Sequence, residues 1–350
     1  MKELILVTGG TGYIGSHTAV ELLDANYDVV IVDNLSNSRI SVLDGIEKIT
    51  GKRPAFEKTD LCDLEQLTPV FEKYSSLKAV IHFAAFKAVS ESVQKPLKYY
   101  ENNIVSLLNL LKLMNRFTVD HLVFSSSCTV YGEPDKLPVT EDSPIKEANS
   151  PYGFTKQVSE SIIRDTITAG RSLKAISLRY FNPIGAHPSG LIGELPIGIP
   201  ENLVPFITQT AYGIHPGLNV FGDDYDTPDG SCIRDYIDVV DLSRAHVVAI
   251  NRMIQGKNRT NYEIFNLGTG KGISVLEMIR AFEDANDLKV KYTITGRRPG
   301  DVEKVWADTS HANAELGWKA ETSLADTLRS AWKWENYFRS ETDIRESPGT

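Results

Sequence analysis

A tyrosine and a lysine four residues apart are the first residues in this chain whose spacing suggests chemistry. Tyr152 and Lys156 lie near the start of an expected helix, where positions i and i+4 share one face. Lowering the pKa of a phenol from about 10 to about 7 needs roughly 4 kcal/mol. One ammonium group at about 4 Å supplies roughly that much at an effective dielectric constant of about 20. A phenolate at Tyr152 would serve as a general base toward an alcohol, as the oxidation of a sugar hydroxyl requires. The alternative is an amphipathic spacing that does no chemistry.

Three glycines near the N-terminus have the context of a phosphate-binding turn. Gly9, Gly12 and Gly15 lie between an expected strand and an expected helix, and glycine lets the backbone approach a pyrophosphate closely. The spacing departs from G-x-G-x-x-G. Asp33 ends the next expected strand, at a usual separation for an acid that binds ribose hydroxyls, and its charge would repel a 2′-phosphate. The sequence therefore predicts NAD rather than NADP, with an unliganded turn and a solvated Asp33 as the alternative.

Short apolar runs that end in turn residues alternate with helical patterns around these sites. The alternation predicts an α/β fold with a doubly wound parallel sheet. The expected strands are 4–8, 28–33, 54–57, 79–83, 121–126, 175–179, 262–266 and 290–295. The expected helices are 16–26, 40–49, 64–74, 96–116, 152–169, 203–212, 239–254, 274–285 and 324–338.

The character of the sequence changes at Phe181. Residues 181–231 are rich in Gly, Pro, Asn and Asp, which indicates long ordered loops around the helix at 203–212. We therefore expect an NAD-binding domain at 1–180, completed by about 237–267, and a smaller substrate-binding lobe. That lobe comprises 181–236 and 268–340, and 341–350 is expected to be a flexible tail.

Composition excludes several classes of function. The net charge of −9 argues against nucleic-acid binding and anionic membrane surfaces. Cys62, Cys128 and Cys232 are far apart and match no disulfide or metal spacing, which favours a reducing cytoplasm. The N-terminus runs into a strand without the pattern of a signal peptide, and no apolar run approaches about 18 residues, so we expect no membrane span. The seven histidines form no metal motif, and we expect no metal.

Longer motifs give the chain a family resemblance. They are GTGYIGSH (10–17), DNLSNS (33–38), HFAAFKAVSES (82–92), FSSSCTVYG (124–132), SPYGFTK (150–156), RYFNPIGAHPSG (179–190), RDYI (234–237) and 298–308. With G-x-x-G-x-x-G and Y-x-x-x-K, they resemble the extended short-chain dehydrogenase/reductase superfamily, and more closely its UDP-glucose 4-epimerase family. The motifs beginning at His82 and Arg179 are the specific ones, because other members would not be expected to carry them. The resemblance covers nearly the whole chain, up to about Asp308.

The resemblance implies a Rossmann domain with tightly held NAD, a C-terminal nucleotide-sugar lobe, a UDP-sugar substrate and a homodimer formed through the helices at 96–116 and 152–169. It implies that Ser127 and Tyr152 face the sugar 4-hydroxyl and that Lys156 lies under the nicotinamide ribose. The positions it assigns to the cofactor are Gly9, Gly12, Tyr13, Ile14, Gly15, Asp33, Asn34, Asn37, Ser38, Asp60, Leu61, Phe83, Ala84, Ala85, Lys87, Asn102, Ser125, Tyr152, Lys156 and Tyr180. Those it assigns to the UDP-sugar are Lys87, Ser127, Tyr152, Phe181, Asn182, Asn202, Leu203, Asn219, Phe221, Arg234, Tyr236, Arg298, Asp301 and Val305.

Some of these assignments have a physical rationale and a competing explanation. A hydroxyl at Ser127 suits proton relay at a strand end, although a simple cluster of strand-end serines is the alternative. Arg234 and Arg298 suit bidentate diphosphate contacts, whereas a surface position is the ordinary place for arginine. Phe221 could stack on uracil or belong to the core.

The implied activity is the interconversion of UDP-glucose and UDP-galactose without net redox change. Tyr152 would take the proton of the 4-hydroxyl while C4 gives hydride to NAD⁺, and the 4-keto sugar would then turn over in the site. The hydride would return to the other face of the sugar. Positive charge on the nicotinamide would add to that of Lys156 in favouring the phenolate.

Three other activities have weaker support. A nucleotide-sugar 4,6-dehydratase would be expected to carry an Asp-Glu pair beside the hydroxyl residue, but Ser127 is followed by Cys128 and Thr129. A UDP-glucuronate decarboxylase lacks support because no basic residue adjoins Ser127. An NAD(P)-sensing protein without catalytic chemistry would be expected to lack Tyr152 and Lys156.

Val305 departs from the pattern of the family. Epimerases restricted to UDP-glucose and UDP-galactose often have a bulky tyrosine at this position, against the sugar 2-position. A smaller side chain would leave room for an N-acetyl group, which predicts additional activity on UDP-N-acetylglucosamine and UDP-N-acetylgalactosamine. The alternative, that Val305 only fills a loop, stays open.

Overall fold

A parallel sheet of seven strands lies at the centre of the computed structural model, which describes residues 2–170, 172–298 and 301–346, with side chains to residue 340. Its strands are β1 (Leu4–Thr8), β2 (Asp28–Asp33), β3 (Ala55–Lys58), β4 (Leu77–His82), β5 (His121–Ser127), β6 (Lys174–Tyr180) and β11 (Tyr262–Leu267). Their order is β11-β6-β5-β4-β1-β2-β3, and every neighbouring pair is parallel. This confirms the predicted doubly wound α/β fold.

Helices cover both faces of the sheet. They are α1 (Tyr13–Asp24), α2 (Val42–Thr50), α3 (Leu64–Lys73), α4 (Val89–Gln94), α5 (Pro96–Tyr100), α6 (Ser106–Arg116), α7 (Pro151–Thr168) and α9 (Val239–Ile254). Successive strand residues point to opposite faces, so Ile5 and Val7 pack with α1, α2 and α9, whereas Leu6 packs with α3, α6 and α7. Burial on both faces explains why the strands are continuous apolar runs.

The helix predicted at 96–116 is interrupted. A π-helical turn, Glu101–Val105, separates α5 from α6, and α4 precedes them without having been predicted. The wider turn contains the buried Asn103, whose side chain exchanges hydrogen bonds with the backbone of Phe86 and donates to Thr155 Oγ1 at 3.1 Å. A single π turn of this kind often marks a functional region.

A smaller C-terminal lobe is built from short elements. They are β7 (Asn182–Ile184), α8 (Leu203–Tyr212), β8 (Leu218–Phe221), β9 (Ile233–Arg234), β10 (Tyr236–Asp238), β12 (Ile273–Ser274), α10 (Val275–Asn286), β13 (Tyr292–Thr295), β14 (Lys304–Val305), a π turn at Ala312–Leu316 and α11 (Leu324–Glu346). The strands form the small sheets β10-β7, β12-β9-β14 and β13-β8. A third core, which includes Ile207, Phe282 and Leu328, packs α8, α10 and α11 together.

Two expectations for this lobe were wrong. Residues 181–231 contain the strands β7 and β8 in addition to the predicted helix, because short strands in a Gly- and Pro-rich segment give no periodic signal. The last helix continues past the predicted end at 338 to Glu346, so the backbone of 341–346 is helical rather than a loose tail. Residues 347–350 of the predicted tail, and Pro299 and Gly300 of the 298–308 motif, lie outside the described residues.

None of the helices in the described part of the chain combines the length and apolar character that a membrane span needs. Among the same residues, no group of three or more His, Cys, Asp or Glu side chains is placed to hold a metal ion.

Three histidines are buried beside the seven-stranded sheet. Burial lowers the pKa of His17 and His82 to about 3 and that of His246 to about 4. An unfolded histidine titrates near about 6.5, so below that pH the unfolded chain binds protons that the folded chain does not. The stability that neutral histidines preserve above about pH 6.5 is therefore lost as the pH falls towards their folded-state pKa values.

We expect His246→Gln to reduce the loss of folding stability at low pH. His246 is fully buried, in ring contact with Phe83 and Tyr180. Between pH 7.5 and pH 5.5 the wild-type chain should lose about 1.3 kcal/mol more of its free energy of unfolding than the variant. Urea unfolding at the two pH values measures this difference. The same loss in both proteins would contradict the prediction.

Candidate active site

The carboxyl ends of β1, β4, β5 and β6 meet at one edge of the sheet. Because β1 lies between β2 and β4, the chain leaves β1 towards one side of the sheet and later crosses to the other. Such a reversal leaves a crevice beyond the strand ends, where doubly wound sheets bind ligands. The glycine turn follows β1, residues 83–87 follow β4, Ser127 ends β5 and Phe181 follows β6.

The glycine turn has the shape that a dinucleotide pyrophosphate needs. Gly9 has a φ of 69°, and a Cβ there would lie 2.7 Å from the backbone nitrogen of Ala84. A Cβ on Gly15 would lie 2.3 Å from the carbonyl oxygen of Gly9. Helix α1 begins at Tyr13 after Gly12, so no capping side chain covers its first N–H groups. The turn therefore offers bare backbone to a ligand, and Tyr13, Ile14 and Gly15 form its first helical turn.

Asp33 is oriented by the loop that follows β2. Its carboxylate accepts hydrogen bonds from the backbone N–H groups of Thr11, at 3.2 Å, and Leu35, at 2.8 Å, and from Ser38 Oγ. The contact with Thr11 connects this acid directly to the glycine turn. The neighbouring Asn34 donates to Asp60 Oδ2 at 3.3 Å. The structure thus brings the predicted cofactor residues Asp33, Asn34, Ser38 and Asp60 together. Of the other two in this region, Leu61 is buried and Asn37 is exposed.

The residues after β4 form the opposite wall of the glycine turn. Phe83 N–H donates to the carbonyl oxygen of Thr8, and Ala84 abuts Gly9. Ala85 follows at the surface of the wall. Lys87 forms an ion pair with Glu194, whose Oε1 lies 3.0 Å from the lysine Nζ. The predicted cofactor residue Asn102 lies in the π turn and donates to Asn103 Oδ1 at 3.0 Å.

Helix α7 places Tyr152 and Lys156 beside the end of β5. Ser150 caps the helix by accepting from Gly153 N–H at 3.1 Å, and Pro151 occupies the first helical position, which suits its fixed φ. Lys156 is only 4% exposed, and its Nζ donates to the carbonyl oxygen of Ser125 at 2.6 Å. The same Nζ lies 5.9 Å from the centre of the Tyr152 ring. The predicted pair is therefore adjacent.

The protonation states differ from the expected ones. Burial raises the pKa of Tyr152 to about 12, although hydrogen bonding with Ser127 opposes the rise. Burial lowers the pKa of Lys156 to about 8, and the charge of Glu160 opposes that fall. The chain's own groups thus hold Tyr152 as a neutral phenol at pH 7. The expectation that Lys156 alone brings Tyr152 to about 7 was wrong, because it omitted the cost of desolvating a buried phenolate.

The three serines at the end of β5 have different partners. Ser125 is hydrogen-bonded to the hydroxyl of Tyr180, and Ser126 donates to Glu160 Oε1 at 2.6 Å. Ser127 Oγ accepts from the N–H and the hydroxyl of Thr129, at 3.2 and 3.0 Å. Only Ser127 of the three also affects the pKa of Tyr152, which separates it from a simple serine cluster.

Four predicted UDP-binding residues lie in one region of the C-terminal lobe. Phe221 ends β8 and is 38% exposed, so the alternative that it belongs to the core was wrong. The guanidinium of Arg298 lies 5.3 Å from the centre of its ring and pairs with Asp301 at 2.7 Å. Asn219 is exposed on the same face of β8, two residues earlier. An aromatic face beside a cation and two polar groups suits a base and a phosphate.

The strand pairing of β9 places Arg234 directly opposite Val305 of β14. Val305 is 8% exposed and packs in a cluster with Phe181 and Val139, which puts it in the interior rather than in a loop. Tyr236 lies two residues after Arg234 and is buried, which raises its pKa to about 12. Asn182 Nδ2 donates to the backbone at Asp235, at 3.1 Å. These residues surround the far side of the crevice.

Two glutamates of the site escaped the sequence reasoning. Glu194 accepts from Lys87 and also from Asn202 Nδ2 at 2.6 Å, beside Leu203 at the start of α8. It lies in a Gly- and Pro-rich loop, where a single acid gives no signal. Glu160 follows Lys156 by one helical turn, a spacing that could have pointed to it.

Comparisons with known proteins give matches over nearly the whole chain. The sequence model of the family described as GDP-mannose 4,6 dehydratase matches residues 6–331. A UDP-glucose 4-epimerase of Dictyostelium discoideum is 51% identical over 336 residues, which are 96% of each chain. The crystal structure of a UDP-glucose 4-epimerase from Stenotrophomonas maltophila, with bound NAD and formylated UDP-arabinopyranose, superposes with a TM-score of 0.93. It is 46% identical and covers 97% of this chain and 99% of its own.

A further solved structure is that of a UDP-Glc/GlcNAc 4-epimerase from Campylobacter jejuni. It is 35% identical, has a TM-score of 0.81, and covers 96% of this chain and 99% of its own. The extent of these matches leads to one conclusion. The chain belongs to the UDP-glucose 4-epimerase family.

Proposed function

We propose that this chain interconverts UDP-glucose and UDP-galactose by oxidising and re-reducing sugar C4, with Tyr152 as the proton acceptor and donor. The observation that carries the proposal is the meeting of Tyr152, Ser127 and Lys156 at the end of β5, beside the bare glycine turn and Asp33. The backbone turn and the oriented carboxylate fit NAD. When bound, NAD supplies the hydride acceptor and donor and, in its oxidised form, a positive charge near the base.

The chain's own groups divide the remaining tasks. Tyr152 exchanges the proton of the 4-hydroxyl, and Ser127 hydrogen-bonds with the reacting oxygens because it already interacts with the phenol. Lys156 contributes positive charge 5.9 Å from the centre of the Tyr152 ring and supports the phenolate form of Tyr152. Asp33 carries a carboxylate where a 2′-phosphate would lie, which favours NAD over NADP.

The substrate lobe supplies the binding groups for UDP. Phe221 offers an exposed aromatic face for uracil, and Arg298 beside it offers donors for the diphosphate. Arg234, whose Nη1 donates to the carbonyl oxygen of the neighbouring Ile233 at 2.9 Å, is the second diphosphate candidate.

Dehydration is a poor alternative at this site, although the matching family model is described by a dehydratase. Elimination of a 6-hydroxyl needs an additional acid and base near the sugar. Cys128 and Thr129 follow Ser127 where that pair would be expected. Burial raises the pKa of Cys128 to about 12, so its thiol does not act as a base near neutral pH.

We also propose that a second copy of this chain covers the apolar face formed by α5 and the start of α7. Leu97 is 78% exposed, and Val93 and Phe154 are exposed near it. The ring of Tyr100 contacts that of Phe154, with 6.1 Å between their centres, which joins the two helices into one surface. A homodimer would bury this surface.

The three cysteines are unpaired, which suits the proposed cytoplasmic location.

Replacing Tyr152 by Phe tests the proposed reaction. We expect the wild-type protein to convert UDP-galactose into UDP-glucose, if necessary after addition of NAD, and Tyr152→Phe to be slower by roughly 100- to 10,000-fold because it lacks the proton acceptor. Separation of the two sugars by chromatography gives the rates. Tyr100→Phe removes a hydroxyl from a tyrosine outside the site and should act like wild type. No conversion by wild-type protein with NAD, or equal rates for both tyrosine variants, would refute the assignment.

Replacing Val305 by Tyr tests the proposed width of the sugar site. We propose that the small side chain admits N-acetylated sugars, so the wild-type protein should also convert UDP-N-acetylgalactosamine. Val305→Tyr should remove that activity and largely spare UDP-galactose, whereas Val305→Ala should keep both. Parallel assays on the two substrates give the ratio of kcat/KM values. An equal fall on both substrates would show that Val305 does not act as a gate.

Replacing Leu97 by Glu tests the proposed dimer. A buried, unpaired carboxylate is costly, so the variant should elute as a monomer where the wild-type protein elutes as a dimer. Light scattering coupled to size-exclusion chromatography gives the masses. Lys319→Glu, a charge change at an exposed position of the C-terminal lobe, is the control and should remain dimeric. A wild-type monomer, or a dimer that persists in Leu97→Glu, would rule out this face.

A further inference from the structure

A buried ion pair lies directly beneath the site. Arg179 on β6 donates to both carboxylate oxygens of Glu160 on α7, through Nε at 2.9 Å and Nη2 at 2.5 Å. Both side chains are almost completely buried, at 3% and 4% exposure. Replacing such a pair by apolar residues of similar volume is often neutral or stabilising, so the need to fill the core does not explain it.

The acidic member of the ion pair, Glu160, is the one that lies towards Lys156. Glu160 is one helical turn after Lys156 on α7, so its carboxylate lies on the same helical face. Its charge acts on the Lys156 ammonium, whereas Arg179 points away, with Nη1 donating to the hydroxyl of Tyr131 at 2.9 Å. The negative end of the ion pair is therefore the end near the lysine.

The other groups that face Lys156 do not provide negative charge. The neutral phenol of Tyr152 faces Lys156 from the same helix. The imidazole of His82 faces it from β4, and the pKa of His82 is lowered by burial and by the charge of Lys156. From β5, Lys156 contacts the ring of Phe124 and the carbonyl oxygen of Ser125. Among the described neighbours, Glu160 is the acid that acts on this ammonium group.

The carboxylate of Glu160 is also hydrogen-bonded to β5, the strand that Lys156 contacts. Ser126 Oγ donates to Glu160 Oε1 at 2.6 Å, and the adjacent Ser125 provides the carbonyl oxygen that accepts from Lys156. Glu160 thereby connects α7, β5 and β6 at one point, with Ser127 following directly in the strand. A shift of this carboxylate would move the strand end that carries Ser127.

We propose that Glu160 is a positioning residue, which keeps Lys156 charged in its buried position through the oriented Glu160–Arg179 ion pair and fixes the end of β5 beneath Tyr152. This inference deepens the proposed function, because it rests on the support that Lys156 gives to Tyr152 there. Removing the carboxylate should make Lys156 lose its proton at a lower pH.

Direct titration of Lys156 tests the proposal without depending on turnover. Protein labelled with ¹³C-lysine is titrated by NMR, and the Cε signal that disappears in Lys156→Met is the one to follow. Glu160→Gln should lower the pKa of Lys156 by about one unit or more, since it removes the negative end and leaves Arg179 charged. The high-pH limb of kcat should move to lower pH by the same amount.

A second buried pair provides a matched control. Glu263 on β11 accepts from Arg252 through two bonds of 2.7 and 2.9 Å and is also buried, and its charge acts on Arg252 rather than on Lys156. Glu263→Gln should lower the melting temperature as Glu160→Gln does, yet leave the titration of Lys156 unchanged. If Glu160→Gln lowers stability without moving that titration, Glu160 is merely structural and the proposal fails, whether or not the chain is an epimerase.

The double variant Glu160→Gln/Arg179→Met covers the case in which Glu160→Gln does not fold. It removes both members of the ion pair, so neither position 160 nor position 179 keeps an unpaired buried charge and the variant should fold. Lys156 should still titrate below its wild-type pKa because the attracting carboxylate is gone. The shift should be smaller than in Glu160→Gln, where Arg179 repels the ammonium group. A wild-type titration in the double variant would overturn the proposal.

Discussion

The hydrogen bond from Lys156 to the carbonyl oxygen of Ser125 ties helix α7 to the end of β5, and the geometry of the site depends on it. A buried ammonium group needs an acceptor, and this one uses the carbonyl oxygen of Ser125, which follows Phe124, the last residue of β5 that pairs with β4. The bond sets the rotation of α7 about its axis. That rotation brings Tyr152, one turn earlier, to Ser127.

A buried aspartate has the corresponding role in the C-terminal lobe. Asp235, between β9 and β10, accepts hydrogen bonds from Thr269 N–H and hydroxyl, Gly270 N–H and Ala307 N–H, at distances of 2.7 to 3.1 Å. Burial raises the pKa of this carboxyl group, and the four donors oppose the rise. Arg234 and Tyr236 flank Asp235, so anchoring one carboxylate fixes both neighbours against the 304–307 segment.

The sequence predicts much of this arrangement because the determining features are local. Strands buried on both faces are apolar runs, and the glycine turn and the Tyr152–Lys156 spacing each occupy a few consecutive residues. The helices at 203–212 and 239–254 match their predicted bounds for the same reason. The domain boundaries and the ligand contacts stay predictions.

What sequence reasoning missed depends on contacts between distant segments. Glu194 matters because Lys87, more than a hundred residues earlier, pairs with it. The short strands β7, β8 and β9 exist through their pairing with remote partners and have no periodicity of their own. The pKa of Tyr152 was misjudged because one attractive charge was counted while the desolvation of the phenolate, a property of the folded surroundings, was not.

A chain of buried hydrogen bonds joins the two halves of the site. From Glu160 it passes through Arg179 and the hydroxyl of Tyr131 to Asn266 Oδ1, at 2.7 Å, and from Asn266 Nδ2 to the carbonyl oxygen of Val139, at 2.9 Å. An isolated β-bridge pairs Val139 with Ala307, which lies two residues after Val305. Buried polar groups are costly unless each is paired, so a displacement at one end leaves donors or acceptors unsatisfied at the next. The segment around Val305 and the carboxylate that acts on Lys156 are therefore held by one connected set of bonds rather than independently of each other.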